Sequence, residues 1–184
     1  MLLFGGPMPE MVQRVADEVE GADCVLELAA GTGLVSRAIA PVVGRLVATD
    51  YAEAMVKQLR AAVGELDNVE TRQLDLYTLE GPPRFDAVVA ANVLHLLPDL
   101  DAGIDKLVGV LRPGGKLIIP TYLHDHSART RVLSWLSGLT GFPGQRRLSL
   151  DGLAAAVQRD DLRLRERQLI PGLLPIGFIS AEKA

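Results

Sequence analysis

VLELAAGTGLVS, residues 25–36, is the stretch on which the fold turns. A short apolar run admits one acid, Glu27, and then breaks into small residues with glycines at 31 and 33. From 34 to 40 the apolar residues recur at helical spacing until Pro41 intervenes. Strand, glycine turn and helix form the first half of a βαβ unit. A loop at the carboxyl end of a first strand lies at the crevice of a doubly wound sheet, and glycine there lets backbone N–H groups approach a ligand closely. Taken alone, a short glycine pair also fits a plain strand-to-helix turn, so the surrounding sequence has to decide.

Outward from the loop the same alternation continues. Residues 8–19 place apolar side chains at helical spacing, and 24–28 read as a buried strand. Strands follow at 45–49, 69–73, 85–91 and 116–120, with helices at 52–63 and 100–111 between them, and RPGG at 112–115 is read as the turn feeding the strand at 116. Beyond it the pattern predicts helices at 128–139 and 150–159, a break at GFPG, and strands at 162–168 and 176–180. Apolar strands alternating with amphipathic helices imply an α/β fold, a mostly parallel, doubly wound sheet with helices on both faces.

The chain has 184 residues, 48% hydrophobic and 23% charged, with a net charge of -4. That length suits a single domain over 1–184, and that charge is wrong for a general polyanion binder, so no nucleic-acid partner is expected. The lone Cys24 excludes an internal disulfide and a cysteine-built metal cluster. No apolar run reaches the roughly twenty residues needed to cross a bilayer, so no stable membrane insertion is expected. The opening MLLFGGPMPE lacks the basic head and cleavage site of a signal peptide, which reads as cytoplasmic.

Three acids then characterise the ligand. Asp50 ends the second strand about twenty residues past the loop, where a carboxylate can accept from both hydroxyls of a ribose. Asp75, after the third strand, can receive an exocyclic amine or an amide. Glu27 sits inside a buried strand, where an acid is costly unless a hydrogen-bonding or charged partner waits for it. Together they describe a pocket for a nucleoside with a polar, partly cationic appendage.

These residues resemble the motifs of the class I S-adenosylmethionine-dependent methyltransferases, in order and over nearly the whole chain. Glu27-Leu28-Ala29-Ala30-Gly31-Thr32-Gly33 is similar to the first motif, E/D-x-G-x-G-x-G, with Ala29 in place of its first glycine. VATDYAEAM is similar to the second, which implies Asp50 on the ribose hydroxyls and Tyr51 and Met55 against the adenine. Asp75-Leu76 resembles the third, with the acid facing the adenine amine. FDAVVAANVLHLL resembles the fourth, with Asn92 to His95 under the methionine part, and LRPGGKLII resembles the turn and strand that follow. The resemblance implies a Rossmann-like seven-stranded sheet, S-adenosylmethionine as cofactor, and methyl transfer to a small, hydrophobic or lipid-like acceptor. Only one helix precedes the first strand, fewer than in many relatives, so the site is either open to a large acceptor or covered by a partner or a second copy.

The acceptor half reads less clearly. His95, just after the fourth strand, places an imidazole where it can take a proton, cap a helix or line the pocket. His124 and His126, with Asp125 between them, allow a base at His124, a solvated loop or a metal site; lacking a third dependable ligand, no metal is expected. The segment 128–142 concentrates the only Trp with Val132, Leu133, Leu136 and Leu139, as a core stripe or a surface for a greasy substrate. Two rivals remain: a methyltransferase-like binding module that assists a partner without transfer, and a nicotinamide-dependent oxidoreductase, since residues 31–36 loosely fit G-x-G-x-x-G/A. The second leaves Glu27 unexplained.

Overall fold

Seven strands lie side by side in the order β3-β2-β1-β4-β5-β7-β6 in the computed structural model, which describes residues 6–123 and 148–184. In chain order the described elements are α1 (Pro7–Val19), β1 (Cys24–Leu28), α2 (Leu34–Ile39), β2 (Arg45–Asp50), α3 (Glu53–Val63), β3 (Val69–Gln73), β4 (Phe85–Ala90), α4 (Leu100–Val110), β5 (Leu111–Tyr122), α5 (Leu150–Ala156), β6 (Leu162–Ile170) and β7 (Ile176–Lys183). β1 to β5 run parallel, and β7 enters antiparallel between β5 and β6. The doubly wound, mostly parallel α/β sheet expected from the sequence is therefore present.

The chain winds one way from β1 through β2 to β3 and returns to lay β4 on the other side of β1. That reversal makes the carboxyl ends of β1 and β4 the switch point, where a sheet of this kind opens to ligands. β1 is buried on both faces: Val25 joins a core with Met11, Val15, Ile39 and Leu59 from α1, α2 and α3, while Leu26 and Leu28 join a core with Ile104, Leu107 and Leu153 from α4 and α5. Burial on both faces is why the inner strands read as apolar runs rather than alternations.

Elsewhere the structure differs from the reading in informative ways. α2 ends at Ile39, one residue before its expected end, and Ala40–Val42 continues as a 3-10 turn with proline near its start, where a missing N–H costs nothing. Ala52 is extended and precedes α3 rather than opening it. RPGG lies inside β5, not before it: Leu111 already pairs with Phe85, and the next matched pair is Ala87 with Lys116. Gly114, at φ +74°, lets that excursion turn back into the ladder. The helix expected over 150–159 ends at Ala156, and Arg159 bridges back to Leu162. The helix expected over 128–139 and the GFPG break lie outside the described residues.

β6 shows how a bulge resets an alternating pattern. Leu164 pairs with Ala181 and Glu166 with Ser180, so Arg165 is the extra residue. Before it Leu162 and Leu164 face the α4/α5 core; after it Glu166 and Gln168 meet Arg14 of α1 on the opposite face. On the α4/α5 face Lys183 donates to the carbonyls of Val108 and Leu111 at 2.8 Å each, a cation closing the end of α4.

Candidate active site

Each strand end at the switch point carries an unusual backbone. Ala29 after β1 and Asn92 after β4 both stand at φ +53°, in the left-handed region that non-glycine residues rarely adopt. Their strands are neighbours, with Leu28 beside Ala90. Asn92 is fixed there by donating its N–H to Pro120 at 2.8 Å and accepting the N–H of Tyr122 on Oδ1 at 2.9 Å, which ties β4 to β5. Ala29 occupies the place where the resembled motif has glycine, and its φ gives the reason for glycine there. Replacing it relieves about 1–2 kcal/mol of left-handed strain against up to about 1 kcal/mol of unfolded-chain entropy. Ala29→Gly is therefore expected to leave the urea midpoint level or slightly raised; a clear drop would mean that the Ala29 methyl is a packing contact that outweighs the strain.

The two glycines of the loop do different work. Among the described residues, a Cβ on Gly31 would meet only the Ala29 carbonyl, at 4.0 Å, so the backbone there is open to them on its side-chain face. A Cβ on Gly33 would sit 3.2 Å from Leu59 and 3.3 Å from Ala62, so this glycine lets α3 approach. Thr32 between them is exposed, and Gly33 at φ +79° leads into α2.

Asp50 closes the loop from the β2 side. Its Oδ2 accepts the Gly31 N–H and its Oδ1 the Ala52 N–H, both at 2.9 Å. One carboxylate thus locks the loops after β1 and β2 together, and each oxygen retains a lone pair for a further donor. Beside it Thr49 donates its hydroxyl to the Glu27 carbonyl at 2.9 Å. Glu27 is 1% exposed and accepts the Ser36 hydroxyl on Oε2 at 2.6 Å. Burial pushes the Glu27 carboxyl up to about 7; the Ser36 hydrogen bond pulls it back, and the Asp50 charge adds to the rise. Among the described residues, no ion pair provides Glu27 or Asp50 with a cation.

The remaining expected residues fall on a rim around this centre or below it. Tyr51 is 69% exposed just past Asp50, and Met55 is half-buried on α3. Asp75 is half-buried and accepts the Tyr77 N–H at 3.0 Å, heading a 3-10 turn. Leu76 gives its side chain to the α4/α5 core. His95 is buried in the 3-10 turn Leu94–Leu96 after β4. His124 and His126 lie outside the described residues, and among the described residues no group of three His, Cys, Asp or Glu side chains is placed to hold a metal.

Three residues went unremarked in the sequence. Ser36 could have been found from Glu27, because a buried acid needs a donor and α2 brings its third residue back over β1. Tyr122, half-buried with its phenol pushed up by burial, and Thr121, whose fully buried hydroxyl has no hydrogen-bond partner among the described residues, end β5. Nothing in TYL marks either of them apart from the neighbouring strand.

A crevice at the β1/β4 switch point, an open glycine backbone and an acid closing the second strand stand together at the ligand-binding end of a Rossmann-like sheet. The model of the methyltransferase-domain family matches residues 26–117, half of the chain, and the chain belongs to that family. It is 36% identical over 96 residues to a demethylmenaquinone methyltransferase of Clavibacter sepedonicus, covering 52% of this chain and 39% of that protein. It is also 36% identical over 126 residues to the chondramide synthase of Chondromyces crocatus, covering 61% of this chain and 3% of the synthase. The chain thus spans well under half of these two relatives. Its fold is that of YcgJ from Bacillus subtilis, with a TM-score of 0.81 at 15% identity over 95% of this chain and 98% of that one. The N-methyltransferase NodS of Bradyrhizobium japonicum, solved with S-adenosylhomocysteine, shares the fold at a TM-score of 0.77 and 18% identity, covering 95% of this chain and 84% of NodS.

Among the described residues, no helix is long and apolar enough to cross a membrane.

Proposed function

We propose that the chain is a single S-adenosylmethionine-dependent methyltransferase domain acting on a small, largely apolar acceptor. The observation that carries the cofactor is Asp50, whose two oxygens hold the loops after β1 and β2 together beside the open backbone of Gly31. The remaining lone pairs of Asp50 suit two ribose hydroxyls, and the exposed ring of Tyr51 offers an apolar face for the base. The buried acid Glu27, with no cation beside it among the described residues, favours a ligand that brings positive charge. A pyrophosphate-bearing nicotinamide cofactor would instead meet like charge there. The cofactor supplies an activated methyl on a sulfonium; the chain's part is to hold acceptor and methyl in line and to exclude water.

The acceptor side is apolar along the described strand ends. Residues 87–98 and 117–123 contain no Asp, Glu, Lys or Arg, and Val93, Leu96, Tyr122 and Leu123 stand beyond β4 and at the end of β5. His95 is the titratable group on the β4 side that can take an acceptor's proton. The demethylmenaquinone methyltransferase relative makes demethylmenaquinone the first acceptor to try.

Calorimetric titration with S-adenosylhomocysteine, with NADH as control, tests this reading. Micromolar binding of the first and none of the second is expected. NADH binding alone would replace the reading by the oxidoreductase, and S-adenosylhomocysteine binding without transfer to any quinol, phenol or amine tried would favour the assisting module.

A further inference from the structure

Seven polar or charged residues are buried in the described structure: Glu27, Ser36, Thr49, Asp50, His95, Thr121 and Ser180. Three of them, Glu27, Ser36 and Asp50, lie together under the glycine loop, and Thr49 donates its hydroxyl to the Glu27 carbonyl from the neighbouring strand. Such concentration is unexpected of a helix–sheet contact, which an alanine at position 36 would satisfy without any buried hydroxyl. Ser36 is fully buried, and its hydroxyl is 2.6 Å from a carboxylate that is itself buried.

The charges around Glu27 make the patch unbalanced. From β2 it is faced by Asp50, of the same sign; β4 sets Val89 beside it in the ladder; the residues that α1 buries on this face, Met11, Val15 and Val19, are apolar; and Arg37 of α2 is exposed. A hydroxyl that donates to a carboxylate stabilises the ionised form. The described residues therefore provide a donor for an ionised Glu27 but no cation to neutralise it.

We propose that Ser36 is a positioning residue for the cationic end of the cofactor: it holds the Glu27 carboxyl in its ionised form when that charge arrives, so that occupancy of the site releases the proton of Glu27 to solvent. The inference rests on the cofactor reading above. It adds a residue, Ser36, and a proton to the binding step.

The test is calorimetry of S-adenosylhomocysteine binding to the whole chain at pH 6, 7 and 8, each in two buffers of different ionisation enthalpy. For a carboxyl that titrates near 7 when the site is free, affinity is expected to rise about tenfold from pH 6 to pH 8, with release approaching one proton at pH 6 and little at pH 8. Glu27→Gln should remove both the pH dependence and the proton release. Ser36→Ala should move the rise to higher pH, and Ser36→Thr, which keeps the hydroxyl, should move it back. Flat affinity and no proton release in the unaltered chain, with binding intact, would overturn the inference and leave the cofactor reading standing. Equal weakening by Ser36→Ala at every pH would make Ser36 a structural residue only, which also overturns it. Absence of binding at all three pH values would instead strike the cofactor reading itself.

Discussion

Asp50→Ala is expected to weaken S-adenosylhomocysteine binding about a hundredfold, or about 3 kcal/mol, the largest single loss at the site. The carboxylate does two things at once. It accepts the Gly31 and Ala52 amides that set the loops after β1 and β2, and it offers the lone pairs a ribose would use. Hydrogen bonds to a charged acceptor contribute roughly 1.5–3 kcal/mol each, so losing the loop amides and the ligand hydroxyls together exceeds either alone. The substitution should also lower the urea midpoint, because Gly31 and Ala52 lose their acceptor. Asp50→Asn separates the two effects: its one carbonyl oxygen can serve one amide only, so the fold should recover in part while affinity stays low. Binding unchanged in both variants would remove Asp50 from the site.

The second large effect concerns stability. The Glu27 carboxyl titrates at about 7 in the folded chain against an ordinary 4.5. Between those values the unfolded chain gives up a proton that the folded chain retains, so the folded state loses ground as pH rises from 4.5 towards 7. Above 7 the full cost of about 3 kcal/mol is present. Glu27→Gln keeps an oxygen for the Ser36 hydroxyl and never ionises. Urea unfolding of the variant and the original chain should then differ little at pH 4.5 and diverge in favour of the variant by pH 8. A variant equally less stable at both pH values would show that its new amide donors, not charge, dominate. If the divergence is found together with lost cofactor affinity, Glu27 is a group whose function costs stability.

Most of the fold could be read because its strands are buried on both faces and its loops carry glycine where the backbone needs it. β1, α2 and β2 fall within a residue of their expected bounds. The misreadings have local causes. RPGG looks like a turn before a strand because its glycines do turn, yet Leu111 has already paired with Phe85 before the excursion begins. Ala156 ends α5 although LDGLAAAVQR continues a helical pattern, since Arg159 is taken up by pairing with Leu162. Glu27, Gly31 and Asp50 could be singled out in the sequence because a buried acid, a left-handed glycine and an acid at a strand end are each unusual choices, and the structure brings the three together at the switch point. At Leu76 the side chain belongs to the core beneath, so only its backbone faces outward for the role the motif implies. The acceptor side was hardly legible, because apolar residues such as Val93 and Leu123 serve a strand end and a greasy substrate equally well.

The placement of β7 carries a consequence for assembly. β6 is synthesised before β7 yet touches the sheet only through it, because β7 lies between β6 and β5. β6 therefore has no place to add until Ile176–Lys183 has been made, and until then the edge of β5 stands open along seven residues, from Lys116 to Tyr122. Pairing of this range is slow relative to local structure, and an open edge recruits other chains. Only when β7 has paired with it is the edge of β5 covered, with β6 added beyond. A ribosome or a refolding buffer that delays this step would reveal the protein's susceptibility to aggregation long before any change reached Asp50 or the glycine loop.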